Sequence, residues 1–103
     1  METTTINKNI KLTEDKEYGD LEISGGTLDL NGHKLIVNGS LNHTGGTLNM
    51  NGGKLEISGN YTQSQAAYIA MSNPSDYMLV KGNFVAVNAD MTAGELEIQG
   101  DFN

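Results

Sequence analysis

Residues 19–38 read GDLEISGGTLDLNGHKLIVN, and residues 39–58 read GSLNHTGGTLNMNGGKLEIS, so that one 20-residue unit is written twice in succession. Ten of the twenty positions are identical between the two copies. Self-similarity at a fixed period of this length is typical of folds in which similar units stack along one axis. The stretch therefore predicts a stacked repeat architecture.

The spacing inside one unit predicts three short strands. The first copy has three pairs of apolar residues with period 2, which are Leu21/Ile23, Leu28/Leu30 and Leu35/Val37. Period 2 indicates a strand with one buried face, and the Gly and Asn residues between the pairs indicate corners. We expect an all-β fold, a right-handed parallel β-helix (β-solenoid) with triangular coils of about 20 residues. A hairpin meander is the alternative, because Asn-Gly between alternating strands favours hairpins, but hairpins need no such sequence repeat.

A second pattern carries the repeat to the end of the chain. Residues 35–41, 55–61, 78–84 and 96–102 share the order apolar, variable, Val or Ile, polar, Gly, small polar, apolar or aromatic. The position two after the glycine predicts an inward column formed by Leu21, Leu41, Tyr61, Phe84 and Phe102. This predicted column changes from leucine to aromatic residues toward the C-terminus.

Residues 1–18 do not match the repeat and are expected to form an N-terminal cap or a partial coil, whereas residues 19–103 form the solenoid. The third coil is expected to be irregular over residues 63–77, because the interval from Gly59 to Gly82 is longer than the interval from Gly39 to Gly59. Asn73–Asp76 contains the only proline and is predicted to bulge as a turn from a corner.

Composition excludes several classes of function. The 103 residues carry a net charge of −7, with 13 acidic residues against six lysines and no arginine. Nucleic acid is disfavoured as a partner, since phosphate contacts need a basic surface, and an anionic membrane is disfavoured for the same reason. No apolar run reaches the roughly 18 residues of a membrane span. The absence of cysteine excludes disulfides and thiolate metal sites.

Neither a catalytic residue nor a cofactor or metal site is predicted, and the chain is interpreted as a non-enzyme. His33 is expected at a corner, and His43 is expected as a half-buried polar residue in the row of Ile23. Two histidines without cysteine make a weak transition-metal site. Asp20 and Asp101 follow glycines, where a turn hydrogen bond explains them better than catalysis does.

Two surfaces are candidates for binding. Tyr68, Tyr77 and Asn73 lie in or beside the irregular segment, and exposed tyrosines beside amides can stack on sugars and hydrogen-bond to them. Asp101, Phe102 and Asn103 open a further coil, so we expect an end-to-end contact there, either self-association or docking of a neighbouring domain.

The text GGTLDLNG-x-KL-x-V-x-G-x-L from Gly25, together with DYMLV-x-GNF and TAGELEIQGDF further on, resembles the Gly/Asn-rich repeat modules of large secreted or surface proteins of Gram-positive bacteria. The resemblance covers about residues 19–103, and more loosely the chain is similar to β-helical adhesins of the filamentous haemagglutinin type. It implies an extracellular or cell-surface location and a structural or adhesive scaffold. A carbohydrate-binding solenoid module that uses residues 63–77 is the alternative function.

Overall fold

A computed structural model describes residues 3–64, 66–87 and 89–101, without the side chains of residues 89 and 90. Within these ranges the only regular secondary structure is β-strand, and every strand pair is parallel. The strands stack into a β-solenoid of about five turns, with coils of about 20 residues. The predicted fold class is confirmed, and the hairpin alternative, which requires antiparallel neighbours, is wrong.

The strands form two sheets. The eight strands of sheet A are β1 (Thr3–Ile6), β2 (Ile10–Lys11), β4 (Asp20–Asp29), β6 (Leu41–Asn49), β8 (Tyr61–Gln63), β9 (Ala67–Met71), β11 (Phe84–Val85) and β12 (Ala89–Met91). The five strands of sheet B are β3 (Lys16–Tyr18), β5 (Lys34–Val37), β7 (Lys54–Ile57), β10 (Tyr77–Val80) and β13 (Glu95–Ile98). Sheet A supplies two sides of each coil and sheet B supplies the third.

The corner predicted at Ser24–Gly26 bends a strand without ending it. β4 and β6 each continue without a break through their Gly-Gly pair. The register between the two strands shifts on both sides of the Ser24–Gly45 pair. Gly46 has φ 76°, and a Cβ on it would lie 2.5 Å from the carbonyl oxygen of Gly26 in the coil beneath. Glycine is therefore needed here both for its positive φ and for the close approach of two backbones. The expectation of three separate strands per coil was wrong at this corner, because the glycines let one strand bend around it.

The core is a set of columns that run along the solenoid axis. Leu21 pairs with Leu41, Leu41 with Tyr61, and Tyr61 with Phe84, and all four side chains are buried. The rings of Tyr61 and Phe84 are stacked, with 5.0 Å between their centroids and 16° between their planes. The inward column is confirmed over these four positions, and its fifth member, Phe102, lies outside the described residues.

Residues 3–18 add one strand to each side of the stack. β1 and β2 pair with β4, and β3 pairs with β5. Ile6 and Leu12 are buried in the shared core. Lys16, however, aligns with Leu35 and so occupies an inward row of sheet B, where it is exposed at the end of the stack and pairs with Glu14 at 3.2 Å.

The third coil absorbs its extra length at two corners. Leu41 of the second coil pairs with Tyr61, Gly46 pairs with Ala67, and Lys54 pairs with Tyr77, so that the numbering offset between paired residues increases twice along the coil. The first increase falls before β9 and is a single insertion, and the second falls before β10 and is a double insertion. The double insertion makes the turn at Asn73–Asp76, in which the Asp76 N–H donates to the Asn73 carbonyl at 2.9 Å. The sides of the solenoid keep their register while this corner grows.

Candidate functional site

The residues that follow the repeat glycines form a hydrogen-bonded ladder along one corner. An Asp20 carboxylate oxygen accepts from the backbone N–H of Ser40 at 3.0 Å, and the Ser40 hydroxyl oxygen accepts from that of Asn60 at 3.1 Å. The side-chain oxygens of Asn60 and Asn83 accept from the next coils in the same way, the last donor being the Asp101 N–H at 2.8 Å. Asp20 therefore has the turn role that the sequence predicted.

His43 and Tyr61 form a buried polar pair inside the core. Both side chains are 0 % exposed, and the Tyr61 hydroxyl lies 2.8 Å from His43 Nδ1. The second ring nitrogen, Nε2, lies 3.2 Å from the Gly46 carbonyl oxygen. With Nε2 protonated, the ring donates to that carbonyl and its Nδ1 accepts from the tyrosine hydroxyl. The expectation that His43 is half-buried was wrong, because the longer Tyr61 reaches diagonally across from the next coil and supplies the partner.

The surroundings keep the His43 ring neutral. Desolvation by burial is the largest effect and lowers the pKa of His43 to about 4, although the backbone hydrogen bonds to Gly46 and Gly45 oppose it. Burial likewise raises the pKa of Tyr61. Both side chains are thus uncharged at neutral pH. Because neither is exposed, a substrate cannot reach them, and their hydrogen bond has a structural role.

His33 lies at a corner, as predicted. Its N–H donates to the Leu30 carbonyl at 2.9 Å, and its Nδ1 lies 3.7 Å from a carboxylate oxygen of Asp15. In the described parts of the chain, no three His, Cys, Asp or Glu side chains are grouped so that they could hold a metal ion.

A groove of about 420 Å³ lies on the outer face of sheet B, beside the turn of the third coil. Its floor is an outward row in which Lys34, Lys54, Tyr77 and Glu95 occupy successive strands. Pro74, Ser75 and Asp76 form one wall, and Leu55 and Glu56 complete the lining. A tyrosine ring, two lysines and the acidic residues Glu56 and Glu95 thus share one concave surface.

The turn that walls the groove is fixed by Asp76. Its side chain is 2 % exposed, one carboxylate oxygen accepts from the Gly52 N–H, and the other accepts from the Asn73 N–H at 3.0 Å. The Asp76 carbonyl accepts from the Glu95 N–H at 2.9 Å, which ties the turn to the next coil. Both carboxylate oxygens accept from backbone donors, and these hydrogen bonds stabilise this conformation of the wall.

The three residues predicted to contact a glycan do not form one site. Tyr77 lies in the groove, whereas Tyr68 lies 38 % exposed on β9 of sheet A, paired with Thr47. Asn73 serves the turn, since its side-chain oxygen accepts from the Ser75 N–H at 2.9 Å. Lys54 and Glu95 are neighbours of Tyr77 that were not predicted from the sequence. Lys54 and Glu95 occupy outward positions of their strands, and they align with Tyr77 once the strands are stacked in register. That register can be assigned only when the position of the double insertion before β10 is known.

At the C-terminal end, Asp101 is tied to its own chain, because the Phe84 N–H donates to the Asp101 carbonyl at 2.8 Å. Phe102 and Asn103, the other members of the predicted contact, lie outside the described residues. The inward residues of β13, Leu96 and Ile98, are half-buried, whereas their counterparts Met78 and Val80 in β10 are fully buried. A hollow of about 330 Å³ beside them is lined by Met71, Met91, Leu96 and residues 92–94.

Over the described ranges, no helix has the length and apolar character that crossing a bilayer would require. No protein-family model, curated protein or solved structure matches this chain.

Proposed function

We propose that the chain is a non-catalytic structural or adhesive scaffold segment of a bacterial surface protein and is displayed outside the cell. The observation that carries this proposal is the continuity of the strand ladder, which runs on every side from the first described coil to the last. Insertions are confined to corners, so the length of a coil varies while its side walls do not. A stack of coils forms extended surfaces on which side chains recur at a fixed spacing along the axis. An extended, regular shape of this kind suits a scaffold.

The surface formed by β13 and Asp101 is the proposed contact with a neighbouring domain or a second copy. The half-buried Leu96 and Ile98 support it, because further apolar burial is available there. In-register stacking of a second copy would place Lys16 on Leu96 and Glu17 on Glu97, as the shared rows of sheet B indicate. Like charges opposite each other are destabilising, so a neighbouring domain is favoured over a head-to-tail copy.

The experiment is surface labelling and adhesion of cells that carry the gene. Antibodies against the chain are expected to label intact cells, and in-frame deletion of residues 3–101 is expected to weaken attachment of the cells to a solid surface. A matched strain with the substitution Thr62→Ala, at an exposed position of sheet A, serves as the control and should attach like the parent. Labelling that requires permeabilised cells would contradict the surface location, and unchanged attachment after the deletion would contradict the adhesive role.

A further inference from the structure

The groove on sheet B combines an aromatic platform with polar groups of both kinds. Tyr77 stands in the outward row between Lys54 and Glu95, one strand away from each. Lys54 has no ion-pair partner among the described residues, so its ammonium group is available as a donor. The carboxylates of Glu56 and Glu95 supply acceptors within the same groove.

The electrostatics of the groove argue against a charged ligand. Desolvation raises the pKa of Tyr77, and the nearby carboxylates of Glu97, Glu95 and Glu56 raise it further. These three negative charges oppose an anion at the ring. The ammonium groups of Lys34 and Lys54 oppose a cation in the other half of the groove. Glu56 is balanced by Lys34 at 3.8 Å and Lys81 at 3.7 Å. An uncharged ligand with both donors and acceptors meets no such opposition.

A sugar has the required chemistry. The C–H face of a pyranose ring packs on an aromatic ring, and its hydroxyl groups both donate and accept hydrogen bonds. Tyrosine combines an apolar ring with a polar tip, which suits a ligand of mixed character. The wall is already in its fixed position because Asp76 holds the turn, and a preorganised wall lowers the entropic cost of binding.

We propose that this groove binds a neutral oligosaccharide, with a sugar ring stacked on Tyr77 and its hydroxyl groups hydrogen-bonded to Lys54 and Glu95. The double insertion before β10 creates the site, because it raises the wall beside Tyr77 that the earlier coils lack at their Asn-Gly corners. The proposal specifies what the adhesive part of the proposed function binds.

The test is a titration of the purified chain with neutral hexasaccharides of β-1,4-linked glucose, mannose, xylose and N-acetylglucosamine, followed by NMR and calorimetry. A hexagalacturonate and a fully deacetylated chitosan hexamer are the anionic and cationic comparisons. We expect at least one neutral oligosaccharide to bind at millimolar concentration or below and to shift the amide signals of residues 54–56, 74–77 and 95. Failure of all four neutral sugars to bind, or binding of the charged oligomers alone, would overturn the proposal.

Variants locate the binding. Tyr77→Ala is expected to lower the affinity for the sugar about tenfold or more, because the stacking surface is lost. Tyr77→Phe keeps the ring and should stay within about threefold of the parent affinity. Tyr68→Ala removes a partly exposed tyrosine from the other sheet and should leave the affinity unchanged. Binding that survives Tyr77→Ala would place the site elsewhere. The binding assay uses purified protein and does not depend on where the chain is located in the cell. Sugar binding can therefore fail while surface labelling succeeds, and surface labelling can fail while sugar binding succeeds.

Discussion

Replacement of Tyr61 by alanine is expected to lower the free energy of unfolding by about 3–5 kcal/mol, the range for large aromatic-to-alanine changes in a core. The ring is fully buried, stacks on Phe84 and carries the hydroxyl that satisfies His43. The variant therefore loses apolar burial, leaves a cavity in the inward column and leaves a buried nitrogen without its partner. Urea denaturation monitored by far-UV circular dichroism measures the loss.

Two further substitutions at this position separate these causes. Tyr61→Leu restores the residue type of Leu41 in the coil beneath and should be milder than alanine. Tyr61→Phe keeps the ring and removes only the hydroxyl, so that we expect a loss of about 1–3 kcal/mol from the unpaired His43. The exposed neighbour Thr62 is the control, and Thr62→Ala should change stability by less than about 0.5 kcal/mol. A loss below about 1 kcal/mol for Tyr61→Ala would show that the ring is not in the core.

Acid is expected to destabilise the fold through His43. Burial lowers the pKa of His43 from 6.5 to about 4 in the folded chain. Between these two values the unfolded chain binds the proton more readily, so stability is complete above about pH 6.5 and is lost as the pH falls toward 4. The shift corresponds to at most about 3 kcal/mol, fully lost only below the folded pKa. Urea denaturation at a series of pH values between 8 and 4 measures this effect.

The comparison variant is His43→Gln, which keeps a hydrogen-bonding side chain beside Tyr61 and matches the buried Gln63 of the next coil. Between pH 8 and pH 4 the wild-type chain should lose more stability than this variant, by most but not all of the roughly 3 kcal/mol assigned to His43. Thr62→Ala changes an exposed, uncharged side chain and should keep the wild-type pH dependence. Equal pH dependence of wild type and His43→Gln would refute a neutral buried ring.

The sequence predicted the coils well because the apolar positions of the first copy recur 20 residues later, with His43 in place of Ile23 as the one exception. Leu21, Leu41 and Tyr61 lie in the predicted column for that reason. The strand that passes through Gly25 and Gly26 was not predicted, because glycine at a corner can end a strand or bend it, and the choice depends on the coil beneath.

The candidate sites were less predictable. His43 contacts Tyr61, although the residue that pairs with His43 in the next coil is Gln63. The repeat period predicts only which residues pair directly, so it does not show a diagonal contact of this kind. The groove around Tyr77 depends on how the extra length of the third coil divides between its two corners. Only the register of β9 and β10 against their neighbours fixes that division, and it separates Tyr68 from Tyr77.

Disulfide formation in paired cysteine variants distinguishes a stacked coil from a hairpin, because the chain has no cysteine of its own. Asn42 and Thr62 are both exposed and are directly paired between β6 and β8. Neighbouring parallel strands lie about 4.8 Å apart, within the range of Cα separations that a disulfide spans. Asn42→Cys with Thr62→Cys should therefore close a disulfide on mild oxidation without loss of stability.

The comparison pair is Ile36→Cys with Asn42→Cys. These residues would face each other in a hairpin turned at Asn38–Ser40, but in the solenoid they lie on different sheets. The stacked coil predicts that mass spectrometry after oxidation finds the 42–62 disulfide and leaves the 36/42 pair reduced. Closure of the 36/42 pair with the 42/62 pair left open would contradict it.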